Sequence, residues 1–208
     1  MNNLILNGGE ITRRGRSPRM TQQHYFYALE IPLEAKEKLR DIGVILQEKF
    51  SFTRWVHHQD LHITLAFLGF AEKDQLAIAN KKLEQACQFP SFMLEINHLG
   101  VFGKTDAPRI FWAGTASQPF LHQVREKVYS TCIESGFKLE TRPFKPHITL
   151  ARKWNDEQPF HPTLLEKENI FENEKIVFRA QNIVLYKTHL GKEPKYEPVA
   201  KFPLQDKS

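Results

Sequence analysis

The pentapeptide HITLA occurs twice in this chain, at residues 62–66 and again, 85 positions later, at residues 147–151. On a strand, successive side chains point to opposite faces, so Ile63 and Leu65 enter a core while His62 and Thr64 share the other face. The second copy repeats this, with Ile148 and Leu150 set against His147 and Thr149. Each copy follows a short polar turn, and each falls in a different half of the chain. Two similar lobes related by approximate two-fold symmetry are therefore expected. The sequence has no repeat of the short period that marks a solenoid.

The surrounding pattern alternates strands and helices. HYFYALEI from His24 reads as a strand, and Pro32 opens a segment whose Leu39, Ile42, Leu46 and Phe50 recur at helical spacing. Short strands are expected over 54–56 and 61–68, a polar helix over 72–87, and a strand pair over 92–102 and 109–115 joined through 104–108. Leu121, Val124, Val128 and Cys132 share one face of a helix over 118–135, closed by Gly136. Beyond the second HITLA strand come a polar loop from Lys153, a short helix over 163–168, and two last strands over 176–186 and 196–202. None of these is the long apolar strand of a doubly wound parallel sheet, so the spacing predicts an α+β fold with antiparallel sheets.

Composition sets further bounds. With 208 residues, 41% of them hydrophobic and 16 of them Phe, the chain can bury a sizeable core. The domain is expected over 24–208. Residues 1–23 read as a disordered basic leader, with Arg13, Arg14, Arg16 and Arg19 among Gly8, Gly9, Gly15 and Pro18, and Met20 as the natural start. The excess of 29 Lys and Arg over 24 Asp and Glu favours a phosphate-bearing partner. No stretch approaches the ~18 apolar residues of a membrane span. Cys87 and Cys132 lack CxxC spacing and are expected to be buried free thiols of a cytoplasmic protein.

The paired motifs point to a definite chemistry. Two residues along a strand span ~6.6 Å, so an imidazole and a hydroxyl from one strand can grip opposite sides of a tetrahedral phosphate. Two such strands side by side would enclose it. One imidazole takes a proton from water while the other gives one to the leaving oxygen, and the threonine hydroxyls hydrogen-bond the non-bridging oxygens. Other candidates fail. His57, His58 and His62 are too spread along a strand for a metal cluster, so no metal or other cofactor is expected, and His57 and His58 read as exposed turn residues. Gly103-Lys104-Thr105 resembles the end of a P-loop, yet His98 stands where that motif needs glycine. His24, His98, His122, His161 and His189 read as structural.

The two motifs with their surroundings resemble the two-histidine phosphoesterase superfamily, most closely its RNA 2′,3′-cyclic phosphodiesterase branch, historically called 2′-5′ RNA ligase. FYALEIP, RWVHHQDLHITLAFLG, LGVFG, RIFWAG, RPFKPHITLAR and NIVLY carry that resemblance in order along most of the chain. The resemblance implies a bilobal fold whose two antiparallel sheets line a central groove with helices outside. It also implies metal-independent hydrolysis of terminal 2′,3′-cyclic phosphates to 2′-phosphates. His62 would be the general acid and His147 the general base, with Thr64, Thr149 and Arg152 on the phosphate. Strict strand alternation puts Arg152 on the face of Leu150, so its contact requires the strand to twist or end there. Trp55, Phe67 and Phe144 lie near the motifs and are candidates for stacking on the terminal base, or else for the core. The expected partners are RNA ends or nucleotides bearing the cyclic phosphate, since that group requires a 2′-hydroxyl. No membrane and no obligate protein partner is expected, and the chain reads as a monomer. Reversible 2′-5′ joining of RNA ends, non-catalytic binding of RNA ends, and action on ADP-ribose or cyclic oligoadenylates are the competing readings.

Overall fold

The computed structural model describes residues 23–86 and 88–205. The basic leader, apart from Gln23, and Cys87 lie outside the described residues. Nine strands form one curled antiparallel sheet whose order falls into two halves. One half contains β3 (His62–Phe70), β1 (His24–Glu30), β8 (Asn182–Thr188) and β9 (Tyr196–Pro203). The other contains β6 (His147–Trp154), β5 (Pro108–Thr115), β4 (Phe92–Gly103) and β7 (Ile176–Ala180). The two HITLA strands are thus the innermost of their halves. They meet antiparallel at one register pair, Ile63 with Ile148. Past that pair β6 is flanked instead by β2 (Phe52–Trp55).

Helices α1 (Leu33–Gln47), α2 (Lys73–Ala86) and α3 (Pro119–Glu134) pack on the face of the sheet that holds the main core, and α3 also reaches the edge of the cleft described below. Each turns one stripe inward: Leu39, Ile42 and Leu46 from α1, Leu76, Ala79 and Leu83 from α2, Leu121, Val124, Val128 and Cys132 from α3. Gln118 caps α3 by accepting the Phe120 amide, and Gly136 closes it at φ 86°. Short α4 (Thr163–Lys167) follows the loop after β6. Cys132 is a buried free thiol, as its place on the apolar stripe implied. Among the described residues no helix is long and apolar enough to cross a membrane.

Strand β1 shows why the sheet is covered on both faces. Tyr27 and Leu29 enter the main core against the helices, while Phe26 and Ala28 join Val184 and Tyr186 in a small second cluster on the groove side. One expected element is corrected. Residues 176–186 form two strands, β7 and β8, which belong to opposite halves of the sheet. The core positions Ile176, Phe178 and Ala180 are even-numbered, whereas Ile183 and Leu185 are odd. That parity jump marks the crossing at Gln181, whose carbonyl is held by the Leu204 amide at 2.7 Å.

Candidate active site

Each HITLA strand carries a β-bulge at its leucine. Tyr27 and Ala28 pair with Ala66 and Thr64, leaving Leu65 as the extra residue; Phe111 and Trp112 pair with Ala151 and Thr149, leaving Leu150. A bulge shifts the alternation by one. The outward positions of the first motif are therefore His62, Thr64 and Phe67, and those of the second His147, Thr149 and Arg152, matching the burial of Leu65 with Ala66 and of Leu150 with Ala151. The expectation that Arg152 shares the face of Leu150 is thereby corrected. It lies beside Ile110 on the groove face, and Lys153, at φ 66°, bends the strand just beyond it. The antiparallel register at Ile63–Ile148 sets His62 across from Thr149 and Thr64 across from His147.

The two imidazoles are held in the same way. His62 Nδ1 donates to the Asp60 carbonyl and His147 Nδ1 to the Lys145 carbonyl, each at 2.7 Å and each two residues back. Only Nδ1–H can make that bond, so the tautomer is fixed and each Nε2 carries the ring's lone pair. The Thr64 hydroxyl stands 3.1 Å from His62 Nε2. Burial lowers the His62 pKa to about 4, with the positive Lys36 assisting and the bond to Asp60 opposing. Burial also lowers that of His147, and the Arg152 charge adds to this. Both rings are therefore neutral in the free protein at pH 7.

A folded-state pKa below the unfolded value means that the unfolded chain binds more protons between about pH 6.5 and 4. Stability is expected to fall as pH is lowered through that window, by up to ~3 kcal/mol from His62, and to flatten below it. Urea unfolding at pH 7 and pH 4.5 checks this: His62→Gln should lose less stability on acidification than the parent.

Aromatic rings hold both histidines. His62 packs against Phe26 at 4.7 Å, Tyr196 at 5.2 Å and Tyr186 at 6.0 Å between ring centroids. His147 packs against Phe102 at 4.9 Å and Trp112 at 6.1 Å. Trp112 lies over two glycines. A Cβ on Gly100 would come within 2.2 Å of its ring, and one on Gly114 within 2.2 Å of His98 and 2.8 Å of Trp112. Sequence reasoning missed these rings, while His98 packs edge-on to Trp112, a structural role; a glycine in a strand interior, as in LGVFG and FWAG, is the signal of such a close approach.

Beyond Ile63 and Ile148 the strands part, and a cleft of about 760 Å³ opens between them, lined by Thr64, Phe67, Phe102, Phe144 and His147 among others. Phe67, 57% exposed and edge-on to His24, and Phe144 both line this cleft. Trp55 does not reach it. Its ring packs on Phe111 in the core and its Nε1 donates to the Phe52 carbonyl at 3.0 Å. His57 and His58 begin a single turn, as read, yet are half-buried rather than exposed.

Asp60 was also missed. The residue is 4% exposed, its carboxylate accepts the amides of Lys195 and Tyr196 at 2.9 and 3.0 Å, and its carbonyl orients His62. One residue thus ties β9, and with it the Tyr196 ring, to the imidazole.

Comparison with known proteins identifies the family. The chain is 41% identical over 186 residues to an RNA 2′,3′-cyclic phosphodiesterase of Geobacillus stearothermophilus, covering 89% of this chain and 58% of that relative. It is 33% identical to one of Bacillus subtilis, covering 87% of this chain and 96% of that relative. The chain therefore spans less than two thirds of the first relative and nearly all of the second. Escherichia coli LigT shares the fold at a TM-score of 0.68 and 24% identity, over 88% of this chain and 98% of that one, and has also been solved with 3′-AMP. TT0787 of Thermus thermophilus does so at 0.66 and 22%, over 89% and 100%. The 2′-5′ RNA ligase superfamily profile matches residues 32–192, from the turn before α1 to the turn before β9, and the chain belongs to that superfamily.

Proposed function

We propose that this groove hydrolyses terminal 2′,3′-cyclic phosphates on RNA to 2′-phosphates. The observation that carries the reading is the matched pair of imidazoles, each fixed through Nδ1 to a backbone carbonyl so that Nε2 keeps its lone pair, and each set across from a threonine of the other strand. The names of the relatives support the same substrate class.

In the proposed reaction His147 Nε2 takes a proton from water as the water oxygen bonds to phosphorus. The bond from phosphorus to O3′ breaks, and His62 Nε2 gives its proton to O3′. The products are a 2′-phosphomonoester and a free 3′-hydroxyl. Thr64 and Thr149 donate to the non-bridging oxygens, and Arg152 offers a two-pronged donor at the groove edge. Because burial leaves His62 neutral in the free protein, the negative charge of the cyclic phosphate must help to bring the acid's proton onto it. The two imidazoles supply acid and base, so the step calls for no metal. The groove reads as a site for RNA ends, and the buried free thiol Cys132 is consistent with a reducing cytoplasm.

The test is an RNA oligonucleotide ending in a 2′,3′-cyclic phosphate, incubated with excess EDTA and with a 5′-hydroxyl RNA present. Hydrolysis to the 2′-phosphate is expected. A 3′-phosphate product, no turnover, or loss of activity in chelator would overturn the proposal, while 2′-5′ joined RNA as main product would favour ligation. The profile of kcat/KM should be centred below pH 6.5, because it reports the free protein's lowered histidines, and that of kcat should lie at higher pH, because the bound anion raises them.

A further inference from the structure

We infer that Arg125 is the recognition group for a second phosphodiester, the one leading from the terminal nucleotide into the RNA chain, so that the groove prefers RNA 3′ ends to single nucleotides. This rests on the reading above. Arg125 projects from α3 into the wall of the cleft that Thr64, Phe67 and His147 also line. Its guanidinium lies 4.1 Å from the centre of the Tyr129 ring and 5.4 Å from that of Phe144. The side chain is 16% exposed, and its Nε is buried with no hydrogen-bond partner among the described residues. Its ion pair is with the next residue, Glu126, at 3.3 Å, and that carboxylate is 70% exposed, where a pair contributes little.

A guanidinium so far desolvated, with an idle donor, is costly unless something accepts from it. The two rings offset part of that cost and fix the plane of the fork. The Glu126 pair engages Nη1 alone, and the part of the guanidinium that lines the cleft can meet an oxygen of a phosphodiester. Lys145 lines the same wall. The histidine strands already hold the cyclic phosphate, and a single nucleoside cyclic phosphate carries no second anion. An RNA end does. The cleft, at about 760 Å³, falls toward the upper part of the ~300–1,000 Å³ usual for ligand sites, which suits a ligand longer than one nucleoside.

The experiment compares equilibrium binding of a tetranucleotide ending in a 2′-phosphate with that of adenosine and guanosine 2′-phosphates, for the parent, Arg125→Met and Arg125→Lys. Arg125→Met should weaken the tetranucleotide about tenfold, as expected for one lost charge-assisted contact, and flatten its salt dependence by about one contact. The mononucleotides should stay within about twofold, which also reports an intact fold. Arg125→Lys should recover part of the affinity, keeping the charge without the fork. Equal weakening of long and short ligands would show a brace for residues 139–145 ahead of His147 and overturn the inference. So would a loss confined to guanine, the mark of base reading, or an unchanged tetranucleotide. Since the readout is binding, a parent protein that bound but never hydrolysed would sink the catalytic reading and leave this one standing.

Discussion

Replacing His62 or His147 by Ala is expected to cut kcat on RNA ending in a 2′,3′-cyclic phosphate by roughly 10²- to 10⁴-fold, the usual contribution of one positioned proton-transfer group. The double variant should fall far short of the product of the two losses, because either deletion already breaks a single concerted step. Product affinity should change little, since each ring is held by its backbone carbonyl and aromatic neighbours and offers the phosphate only one further bond. Single-turnover kinetics together with product binding checks this. A non-catalytic binder predicts the opposite pattern, with no turnover in the parent to lose. If both alanine variants kept parental kcat, the two-imidazole mechanism would be wrong. Thr64→Val belongs in the same series: it removes a hydroxyl 3.1 Å from His62 Nε2 and should lower kcat less than the loss of the ring.

Much of this site was legible because its chemistry resides in a local pattern. HITLA fixes the strand, the inward Ile and the outward His–Thr couple without reference to anything distant. Arg152 was legible as a residue and misread as a position, because the bulge at Leu150 is set by where Phe111 and Trp112 pair, some forty residues earlier. Period-two reasoning has no access to that. The same shift carries Phe67 to the groove, at the place along its strand that Arg152 holds on the other. The two motifs thus repeat in their first five side chains and differ at the sixth, aromatic in one half and cationic in the other. Trp55 went the other way, since proximity in sequence to a motif says nothing about which face of β2 a ring occupies. The parity jump between Ala180 and Ile183 was open to inspection, and was hidden only by the lack of Gly or Pro at the crossing.

Asp60→Ala is expected to damage stability and catalysis together, and by a route that active-site chemistry alone would not suggest. The carboxylate accepts two backbone amides at the start of β9, so its loss leaves both donors without that partner at a part-buried turn. Each such donor costs ~1–3 kcal/mol, less where water reaches it, which places the loss at roughly 2–4 kcal/mol. For a chain of this size that is a fall in Tm of roughly 5–15 °C. Tyr196 then loosens from the His62 ring it packs against at 5.2 Å, and the Asp60 carbonyl that fixes the His62 tautomer moves with the turn, so kcat should drop about tenfold. Asp60→Asn separates the two effects. It keeps an oxygen to accept one of the amides, so it should retain most of the stability, while removing the negative charge that holds the His62 pKa up against burial. The acid limb of its kcat/KM profile should therefore move to lower pH than the parent's. A Tm for Asp60→Ala within a degree of the parent would show that the strand is tied elsewhere, and an unmoved limb in Asp60→Asn would show that the carboxylate acts only as a strut.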